Sequence, residues 1–384
     1  MKRKICCVIG HRANYSSIKS ALLEIKRHKK LNLQIILTAS AILDKYGSIE
    51  KLIKKDGLNI NLKIPTLLDS ETPLTMAKTT GLGLIELSSA FNYLKPDIVI
   101  VVGDRFETMS TTLAAAYNNI IIAHTMGGEV SGTIDESIRH AITKFAHLHL
   151  PANEEARKRI IKMGENPKFV FNVGCPRIDL VKEMLKSKYG NNLQNLNKEG
   201  VGSKINFNDD FIVVSQHPVT TEYGDALDQI MITLHAIDEL KIQSIVLWPN
   251  PDAGSDDIAR GIRKFRENNI TNKMRFFKNL PIEAYIQLMK NCKCLIGNSS
   301  SGIREGAYIG TPVVNIGSRQ HNRKSGKNVI NVGHKKLEII KAIKKQMLIG
   351  KYKREAIYGN GRSGLKIANI LSKIQVKVQK QNFY

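Results

Sequence analysis

The sequence lacks the features of a membrane protein or a secreted protein. No apolar run approaches the roughly 20 residues that a membrane helix needs. The apolar stretch near the N-terminus, Ile5 to Gly10, is too short for the core of a signal peptide, although basic residues precede it. We therefore expect the chain to remain in the cytoplasm.

Cysteine is also scarce. The five cysteines show neither the paired C-x-x-C spacing of a zinc site nor the pattern of a disulfide framework. They are Cys6, Cys7, Cys175, Cys292 and Cys294. This distribution predicts reduced thiols that are mostly buried.

Acidic residues are few relative to basic ones, with 34 against 58 and a formal net charge of +24. Such an excess raises the question of a polyanionic partner such as nucleic acid. However, only 6% of the residues are aromatic, which leaves few platforms for stacking bases. The lysines are scattered along helical stretches such as 51–55 and 335–345, as on solvated helix faces. We therefore expect a small anionic substrate and no nucleic acid; salt-dependent binding to DNA would indicate the alternative.

What the sequence does contain is a regular alternation of short apolar segments and helical segments. Strands that are apolar on both faces are typical of parallel sheets covered by helices. In the first half the predicted strands are 4–10, 33–38, 98–102, 120–124 and 169–173, and the predicted helices are 16–27, 76–94, 107–117 and 152–163. The alternation predicts an α/β fold with a doubly wound sheet.

A second alternation follows a polar stretch, 189–210, that we interpret as a surface loop. Its predicted strands are 211–216, 244–248, 274–277, 294–296 and 313–316, and its helices are 226–240, 256–268, 282–291 and 335–347. A single core rarely grows beyond roughly 250 to 300 residues, and the chain has 384. We predict two Rossmann-like domains, 1–174 and 175–360, that face each other across a cleft. A final helix at 367–378, within about 364–384, is expected to pack back on the first domain.

Polar residues follow the predicted strands, and ligands of open α/β sheets bind beyond the carboxyl ends of the strands. Arg12 and Ser16 lie where the first strand gives way to a helix, whose N-terminus offers free N–H groups to a phosphate. Asp104 and Arg105 follow the strand at 98–102. The structural alternatives are an ordinary N-cap with a solvated side chain for Arg12, a helix cap for Asp104 and pairing with a neighbour for Arg105.

The segment from His124 to His140 is the densest in functional residue types. Its glycines permit close approach of a ligand to the backbone, and its clustered carboxylates suit proton transfer. Glu129 and Asp135 are therefore candidate catalytic residues. Helix capping by Thr133 or Asp135 is the alternative, and it leaves Glu129 unexplained.

In the second half, His217 and Asn250 follow two strands, and a Ser/Gly turn follows a third. That turn, which contains Ser299 and Ser300, precedes a helix and could cradle a diphosphate, while Glu305 could accept ribose hydroxyls. Plain helix capping is the alternative for the serines. The histidines of the segment 140–149 lack a third ligand for a metal, and neither GxxxxGK[ST] nor an early GxGxxG is present.

Together these segments resemble the hydrolysing UDP-N-acetylglucosamine 2-epimerases, which open sialic-acid biosynthesis. The resemblance extends from Arg12 to about Arg319. Its most specific parts are GDRFE at Gly103, GGEVSGTIDESIRHAITK at Gly127, QHPVTT at Gln216, PNPDAGS at Pro249, GNSSSGIRE at Gly297 and GTPVVNIGSRQ at Gly310. It implies a fold of the glycosyltransferase-B type and conversion of UDP-GlcNAc and water to UDP and N-acetylmannosamine. It implies neither a metal nor a nicotinamide cofactor, and we expect a homo-oligomer, either a dimer or a tetramer.

The resemblance also implies roles for individual residues. Nucleotide binding falls to Arg12, Ser16, Arg105, His217, Asn250, Ser299, Ser300, Glu305 and Arg319. The acidic positions around the sugar, which would act as general acids and bases, correspond to Asp104, Glu129 and Asp135. We also include His217 among the expected catalytic residues.

One position departs from the family pattern. The family usually has an acidic residue where this chain has Met126, and a thioether cannot transfer a proton. Either Glu129 or Asp104 takes over that role, or the substrate is a 2,4-diacetamido-6-deoxy sugar of the legionaminic-acid route or carries another nucleotide. A non-hydrolysing 2-epimerase and a glycosyltransferase of the same fold are further alternatives.

Overall fold

The computed structural model describes residues 2–43, 49–68, 72–186, 193–249, 252–268, 273–278 and 280–383. The chain divides into two compact units. The first comprises Met1–Glu129, Ile134–Lys182 and Tyr358–Tyr384, and the second comprises Val130–Thr133 and Glu183–Ile357.

The first unit is built on a parallel sheet of six strands within the described residues, in the order β3-β2-β1-β4-β5-β6. The strands are β1 (Arg3–Ile9), β2 (Leu31–Thr38), β3 (Leu62–Ile64), β4 (Ile98–Val102), β5 (Ile121–Thr125) and β6 (Leu148–Leu150). Every residue of β4 is buried, as a central strand covered on both faces requires. All six strands point the same way, so their carboxyl ends form one edge of the sheet.

Helices alternate with these strands. They are α1 (Arg12–Arg27), α2 (Ile49–Lys55), α3 (Pro73–Leu94), α4 (Phe106–Tyr117), α5 (Asp135–Phe145), α6 (Glu154–Lys162) and α7 (Pro176–Lys186). On one face, apolar side chains of α3, α4 and α5 such as Phe91, Ala114 and Ile142 pack against Val99 and Ile122 of the sheet. This core fixes the helices whose N-termini follow the carboxyl edge of the sheet.

The second unit contains a seven-stranded sheet within the described residues, in the order β13-β12-β11-β8-β9-β10-β7. Its strands are β7 (Val201–Gly202), β8 (Phe211–Ser215), β9 (Gln243–Leu247), β10 (Met274–Phe277), β11 (Cys294–Gly297), β12 (Val313–Ile316) and β13 (Val329–Val332). All pairings are parallel except that of β7 with β10. Its helices are α8 (Ala226–Leu240), α9 (Ser255–Asn268), α10 (Ile282–Asn291), α11 (Ser300–Ile309) and α12 (Lys336–Ile349).

The last helix, α13 (Ser363–Lys373), belongs to the first unit. Asp179 of α7 accepts hydrogen bonds from the backbone N–H groups of Ser363 and Gly364 at its start, at 2.9 and 2.7 Å. A close approach to α1 requires Gly364, because a Cβ there would lie 2.6 Å from the backbone carbon of Ser20. The C-terminal helix is thus fastened to two earlier helices of its own unit.

The chain after α13 lies against the C-terminal end of α5. Lys380 donates to the carbonyls of Lys144 and Ala146, at 2.7 and 2.8 Å, which satisfies groups that a helix end leaves without partners. Lys380 also pairs at 2.6 Å with the carboxylate of Glu165, which is 1% exposed. His149 and Lys144 each approach the same carboxylate at 3.0 Å. Burial would raise the pKa of Glu165, but hydrogen bonds from His149 and Lys380 outweigh it and lower the pKa to about 2.

The fold class predicted from the sequence is confirmed, with two α/β units whose sheets are parallel apart from the short strand β7. The predicted strand at 169–173 is wrong: a short 3-10 helix, Pro167–Phe169, is followed by a single bridge from Val170 to His149. Val170 and Val173 are apolar because they are buried beside β6, not because they form a strand. The final helix ends at Lys373 instead of 378, and the β-branched Val376 and Val378 beyond it disfavour helix.

Other predictions from composition have clear outcomes. All five cysteines are buried and none forms a disulfide, as predicted. The predicted surface loop at 189–210 lies partly outside the described residues, and its described part contains a 3-10 helix, Leu193–Lys198, and β7. Across the described ranges, no helix combines the length and apolar character needed to cross a membrane.

Candidate active site

Two neighbouring strands of the first unit deliver acidic residues to the same edge of the sheet. β4 ends at Val102 and leads through Gly103, whose φ is +75°, to Asp104. β5 ends at Thr125 and leads through a tight turn to Glu129. Since β4 and β5 pair in parallel, the loops that follow them lie side by side.

The turn after β5 has unusual backbone geometry. The φ angle is +61° at Met126 and +74° at Gly128, which places both residues in the left-handed region. This conformation is unfavourable for a residue that has a Cβ, such as Met126. A Cβ at Gly128 would lie 2.5 Å from the carbonyl oxygen of Ala156, so only glycine fits there. The Met126 side chain is 4% exposed, with its sulfur 3.7 Å from the Sγ of Cys175. It therefore packs in the interior.

Arg139 of α5 joins the acidic residues of this edge, and its side chain is fully buried. Its Nε donates to Oδ2 of Asp104 at 2.9 Å, and one terminal nitrogen contacts the same oxygen. The other terminal nitrogen donates to the backbone carbonyl of Glu129 at 2.8 Å. Burial would lower the pKa of Arg139, but the charges of Asp104, Glu129 and Asp135 outweigh it and raise the pKa. The three carboxylates selected from the sequence thus interact with one guanidinium.

Asp104 is not the N-cap residue of α4, and Asp135 is not that of α5. Arg105 is the N-cap of α4, its side chain makes no capping hydrogen bond, and the Asp104 carboxylate binds Arg139. Ile134 is the N-cap of α5, also without a side-chain cap, which leaves Asp135 in the first turn. A carboxylate there is stabilised by the positive end of the helix.

The remaining predicted residues of the first unit make local contacts. Nε of Arg105 lies 3.0 Å from Oε2 of Glu107, and a terminal nitrogen lies 3.1 Å from Oε1, as the pairing alternative predicted. Arg12 is the first residue of α1 and is partly exposed. Ser16 donates to the carbonyl of Ala13 at 3.0 Å and contacts the guanidinium of Arg177.

His124, in β5, is completely buried. Its Nε2 lies 2.8 Å from the carbonyl of Gly103, and its Nδ1 lies 3.3 Å from the hydroxyl of Thr143. Burial lowers its pKa to about 3, a shift that the hydrogen bond to Gly103 only partly offsets. The ring is therefore neutral near pH 7, and Nε2 carries the proton because a carbonyl can only accept.

Because His124 is buried in its neutral form, we predict that the folded chain loses stability in acid. An unfolded chain binds a proton at His124 below about pH 6.5, whereas the folded chain binds it only near pH 3. Stability should therefore fall as the pH drops from about 6.5 to about 3, because protons favour the unfolded chain. Urea unfolding across this range should show a shallower decline for His124→Gln than for the wild type. His235→Gln, at an exposed position, is the control, and an unchanged slope in His124→Gln would contradict the assignment.

The second unit gathers predicted residues around Asn298, which is fully buried at the carboxyl end of β11. The Asn298 side chain accepts from the backbone N–H of His217 and donates to its carbonyl, both at 2.8 Å. Arg319 and Gln320 donate to the backbone carbonyl of Asn298 at 3.3 and 2.9 Å. Preceding Asn298, Gly297 has a φ of +121°, and a Cβ there would lie 2.3 Å from the Ser215 carbonyl.

The serine turn behaves as a helix cap, as the plain alternative predicted. Ser299 is the N-cap of α11 and accepts from the N–H of Ser301, while Ser300 is the first helical residue. Glu305, on the same helix, is 2% exposed. Asn250 lies outside the described residues. His217, Ser299, Ser300 and Arg319 thus follow β8, β11 and β12 at the carboxyl edge of the sheet, and Glu305 lies further along α11.

The segment Val130–Thr133, between Glu129 and Asp135, belongs to the second unit. The N–H of Gly132 donates to the carbonyl of Arg319 at 3.2 Å, and a Cβ on this glycine would lie 2.0 Å from the Ser318 carbonyl. Arg323 donates to the carbonyl of Val130 at 3.3 Å.

Sequence reasoning missed Arg139 and Asn298, the two residues that organise these edges. Arg139 stands four positions after Asp135, so the two share a helix face once α5 is known to begin there. Asn298 lies inside the GNSSSGIRE segment, but only its serines and Glu305 were selected. The histidines considered for a metal have other partners: His147 contacts the Val378 carbonyl at 2.9 Å and His149 contacts Glu165. In the part of the chain that the structure describes, no cluster of His, Cys, Asp and Glu has the arrangement of a metal site.

Comparison with known proteins gives consistent results. The family model described as UDP-N-acetylglucosamine 2-epimerase matches residues 23–372. A GDP/UDP-N,N'-diacetylbacillosamine 2-epimerase (hydrolyzing) of Campylobacter jejuni is 34% identical over 86% of this chain and 84% of its own length. A UDP-N,N'-diacetylbacillosamine 2-epimerase (hydrolyzing) of Legionella pneumophila is 32% identical over 99% of this chain and 98% of its own. A UDP-N-acetylglucosamine 2-epimerase of Neisseria meningitidis is 30% identical over 94% of this chain and 91% of its own length.

A solved structure shares the fold across nearly the whole chain. The UDP-GlcNAc 2-epimerase from Neisseria meningitidis bound to UDP-GlcNAc superposes with a TM-score of 0.81, at 16% identity, over 96% of this chain and 99% of that one.

Proposed function

The chain belongs to the UDP-N-acetylglucosamine 2-epimerase family, and we propose that it is a hydrolysing 2-epimerase. It would convert a UDP-linked 2-acetamido sugar and water into UDP and the free sugar inverted at C2. The observation that carries this proposal is the grouping of Asp104, Glu129 and Asp135 around Arg139 at the carboxyl edge of one sheet. Further support comes from two relatives that are named as hydrolysing enzymes.

The chemistry requires that bond cleavage assist proton removal. The C2–H of a hexosamine is a very weak acid, so a carboxylate cannot remove this proton from the ground state. As the C1–O bond to UDP breaks, positive character at C1 acidifies C2–H. A carboxylate takes the C2 proton, the C–H electron pair becomes a C1–C2 double bond, and UDP leaves with the electrons of the C1–O bond.

The second step hydrates this glycal. Water adds to C1 and loses its proton to a carboxylate, while a carboxylic acid delivers a proton to the opposite face of C2. Asp104, Glu129 and Asp135 would share this acid and base work, each typically contributing 10²- to 10⁴-fold in rate. In the second unit, His217, Ser299, Ser300, Glu305 and Arg319 would bind the nucleotide, with the N-terminus of α11 facing its phosphates.

We propose UDP-N,N'-diacetylbacillosamine as the first substrate to test. Two relatives, at 34% and 32% identity, carry this sugar in their names, and one of them covers 99% of this chain. UDP-GlcNAc is the second candidate, because the relative at 30% identity and the family description name it. The free products would be precursors of nonulosonic acids of the legionaminic or sialic type, respectively.

Proton NMR of the product tests the reaction and the substrate together. Each UDP-sugar is supplied alone, without acceptor, and then both are supplied in equal amounts. We expect UDP and a free sugar with inverted C2, and faster consumption of the diacetamido substrate in the mixture. A nucleotide-linked epimer would indicate the non-hydrolysing reaction, and no release of UDP without acceptor would favour a glycosyltransferase. Faster consumption of UDP-GlcNAc would reverse the substrate order.

Running the same reaction in D₂O tests the route. Elimination followed by hydration requires that the new C2 proton come from a group that exchanges with solvent. We expect one deuterium at C2 of the product and none in recovered substrate if elimination is committed. A product without deuterium at C2 would exclude this mechanism.

A further inference from the structure

A fully buried guanidinium is costly unless its donors are satisfied and its charge is balanced. Arg139 meets both conditions at the candidate active site: it is 0% exposed, it hydrogen bonds to Asp104, and it interacts electrostatically with Glu129 and Asp135. A residue that served only packing would not need a charge at this position. The cost of burying it points to a role in the site.

The geometry of Arg139 connects three separate pieces of chain. Its Nε and one terminal nitrogen hold the Asp104 carboxylate, in the loop after β4. Its other terminal nitrogen holds the backbone carbonyl of Glu129, in the loop after β5. Its own backbone lies one helical turn after Asp135, in α5. The planar fork of a guanidinium can make these two contacts in different directions at once, whereas an ammonium is a point charge.

We propose that Arg139 is the positioning residue of the site, which holds the Asp104 carboxylate and the backbone of Glu129 in a fixed arrangement beside Asp135, without itself touching the sugar. This inference rests on the proposed function, in which these three carboxylates carry the proton transfers. Displacement of a reacting group by about 1 Å can cost on the order of 10²-fold in rate. A side chain that holds Asp104 and the loop of Glu129 in place therefore controls turnover more than binding.

The charge of Arg139 has a second effect. A nearby cation favours the ionised form of a carboxylate, which is the form a base needs. Among the described residues, the titratable or charged groups close to it include His124 in β5, which is neutral, and His140 in α5, on which the charge of Arg159 in α6 also acts. Burial lowers the pKa of His140, as does the charge of Arg139. Arg159 donates to the Gly128 carbonyl at 2.6 Å and is 30% exposed, so Arg139 is the buried cation of the group.

Two substitutions separate geometry from charge. Arg139→Lys keeps the charge and loses the fork, and Arg139→Met keeps much of the shape and loses the charge. We expect kcat to fall about 10-fold in the lysine variant and about 10²-fold or more in the methionine variant, with KM changed less than kcat in both. Arg27→Met is the control, because Arg27 is 70% exposed and pairs with Glu24 in its own helix.

The pH dependence distinguishes positioning from general support of the fold. In Arg139→Met, the acidic limb of the kcat profile should move to higher pH, because the carboxylates lose their cation. In Arg139→Lys, the limb should stay near its wild-type position. A purely structural role would lower kcat in proportion to the folded fraction and leave the limb where it is, and that result would overturn the proposal.

Carboxyl ¹³C NMR gives a readout that does not depend on turnover. Protein labelled at Asp carboxyl carbons is titrated with acid, and Asp104→Asn identifies the Asp104 resonance by its loss. We expect the Asp104 midpoint to move to higher pH in Arg139→Met and to change little in Arg27→Met. An unshifted midpoint in a folded Arg139→Met protein, or in Arg139→Lys an unchanged kcat, would contradict the proposal. If the wild type hydrolyses no UDP-sugar, the proposed function fails, while this titration still tests Arg139.

Discussion

Replacing Glu129 with glutamine is expected to lower kcat by about 10²- to 10⁴-fold and to leave the affinity for UDP nearly unchanged. Glutamine keeps the size and the hydrogen-bonding reach of the side chain but cannot take or give a proton. Glu129 is 3% exposed, and its backbone carbonyl is held by Arg139, so the main chain should stay in place. UDP affinity should persist because Glu129 is not among the residues that we expect to bind the nucleotide.

The measurement combines steady-state release of UDP with calorimetric titration of UDP. Glu155→Gln is a matched control, since Glu155 is 43% exposed and pairs with Arg159 one turn along its helix. It should have wild-type kcat. If Glu129→Gln keeps more than about a tenth of wild-type kcat, Glu129 is not a proton-transfer residue, and the work falls to Asp104 and Asp135.

Replacing Glu165 with glutamine is expected to destabilise the first unit by about 3 kcal/mol at pH 7. The carboxylate is 1% exposed and contacts His149, Lys144 and Lys380, so its loss leaves two lysines without their buried counter-charge. Breaking a buried pair by removing one partner costs more than the pair contributes, because the remaining charge stays desolvated. The variant should keep the fold in the absence of denaturant but unfold at a lower urea concentration.

The difference in unfolding free energy between the wild type and Glu165→Gln should itself depend on pH. The pKa of Glu165 is about 2 in the folded chain and about 4.5 in the unfolded one, so its stabilisation is complete above about pH 4.5. The gap between wild type and Glu165→Gln should therefore narrow as the pH falls from about 4.5 towards 2. Glu155→Gln should differ from the wild type by less than about 0.5 kcal/mol throughout. If the difference in unfolding free energy stayed constant across this range, the charge of Glu165 would not be the source of the stabilisation.

The long buried elements could be predicted from the sequence because burial leaves a plain signal. β4 and β8 consist of consecutive buried residues, and α8 and α10 begin and end where their spacing indicates. Short elements such as β3 and β6, each of three residues, are recognisable only through their neighbours in the sheet. The apolar segment at 169–173 was misread for the same reason, since burial beside an edge strand has the same composition as a strand.

The site shows a similar division. Carboxylates after parallel strands could be selected because topology brings strand ends together, and Asp104 and Glu129 do share Arg139. Arg139 could not be selected with them, because its role depends on where α5 begins and on which way its side chain points. The same holds for Asn298. Its sequence context is that of an ordinary turn residue, and only the structure shows the two hydrogen bonds between its side-chain amide and the backbone of His217.

The order of segments along the chain bears on how this protein is made. The first unit needs residues 358–383, which supply α13 and Lys380, yet these are synthesised after the whole of the contiguous segment Glu183–Ile357. During translation, the sheet of the second unit can therefore form before α13, the last helix of the first unit, has left the ribosome. Until then, the face of α1 that receives Gly364 and the end of α5 are uncovered, so nascent chains are expected to engage chaperones through the earlier half.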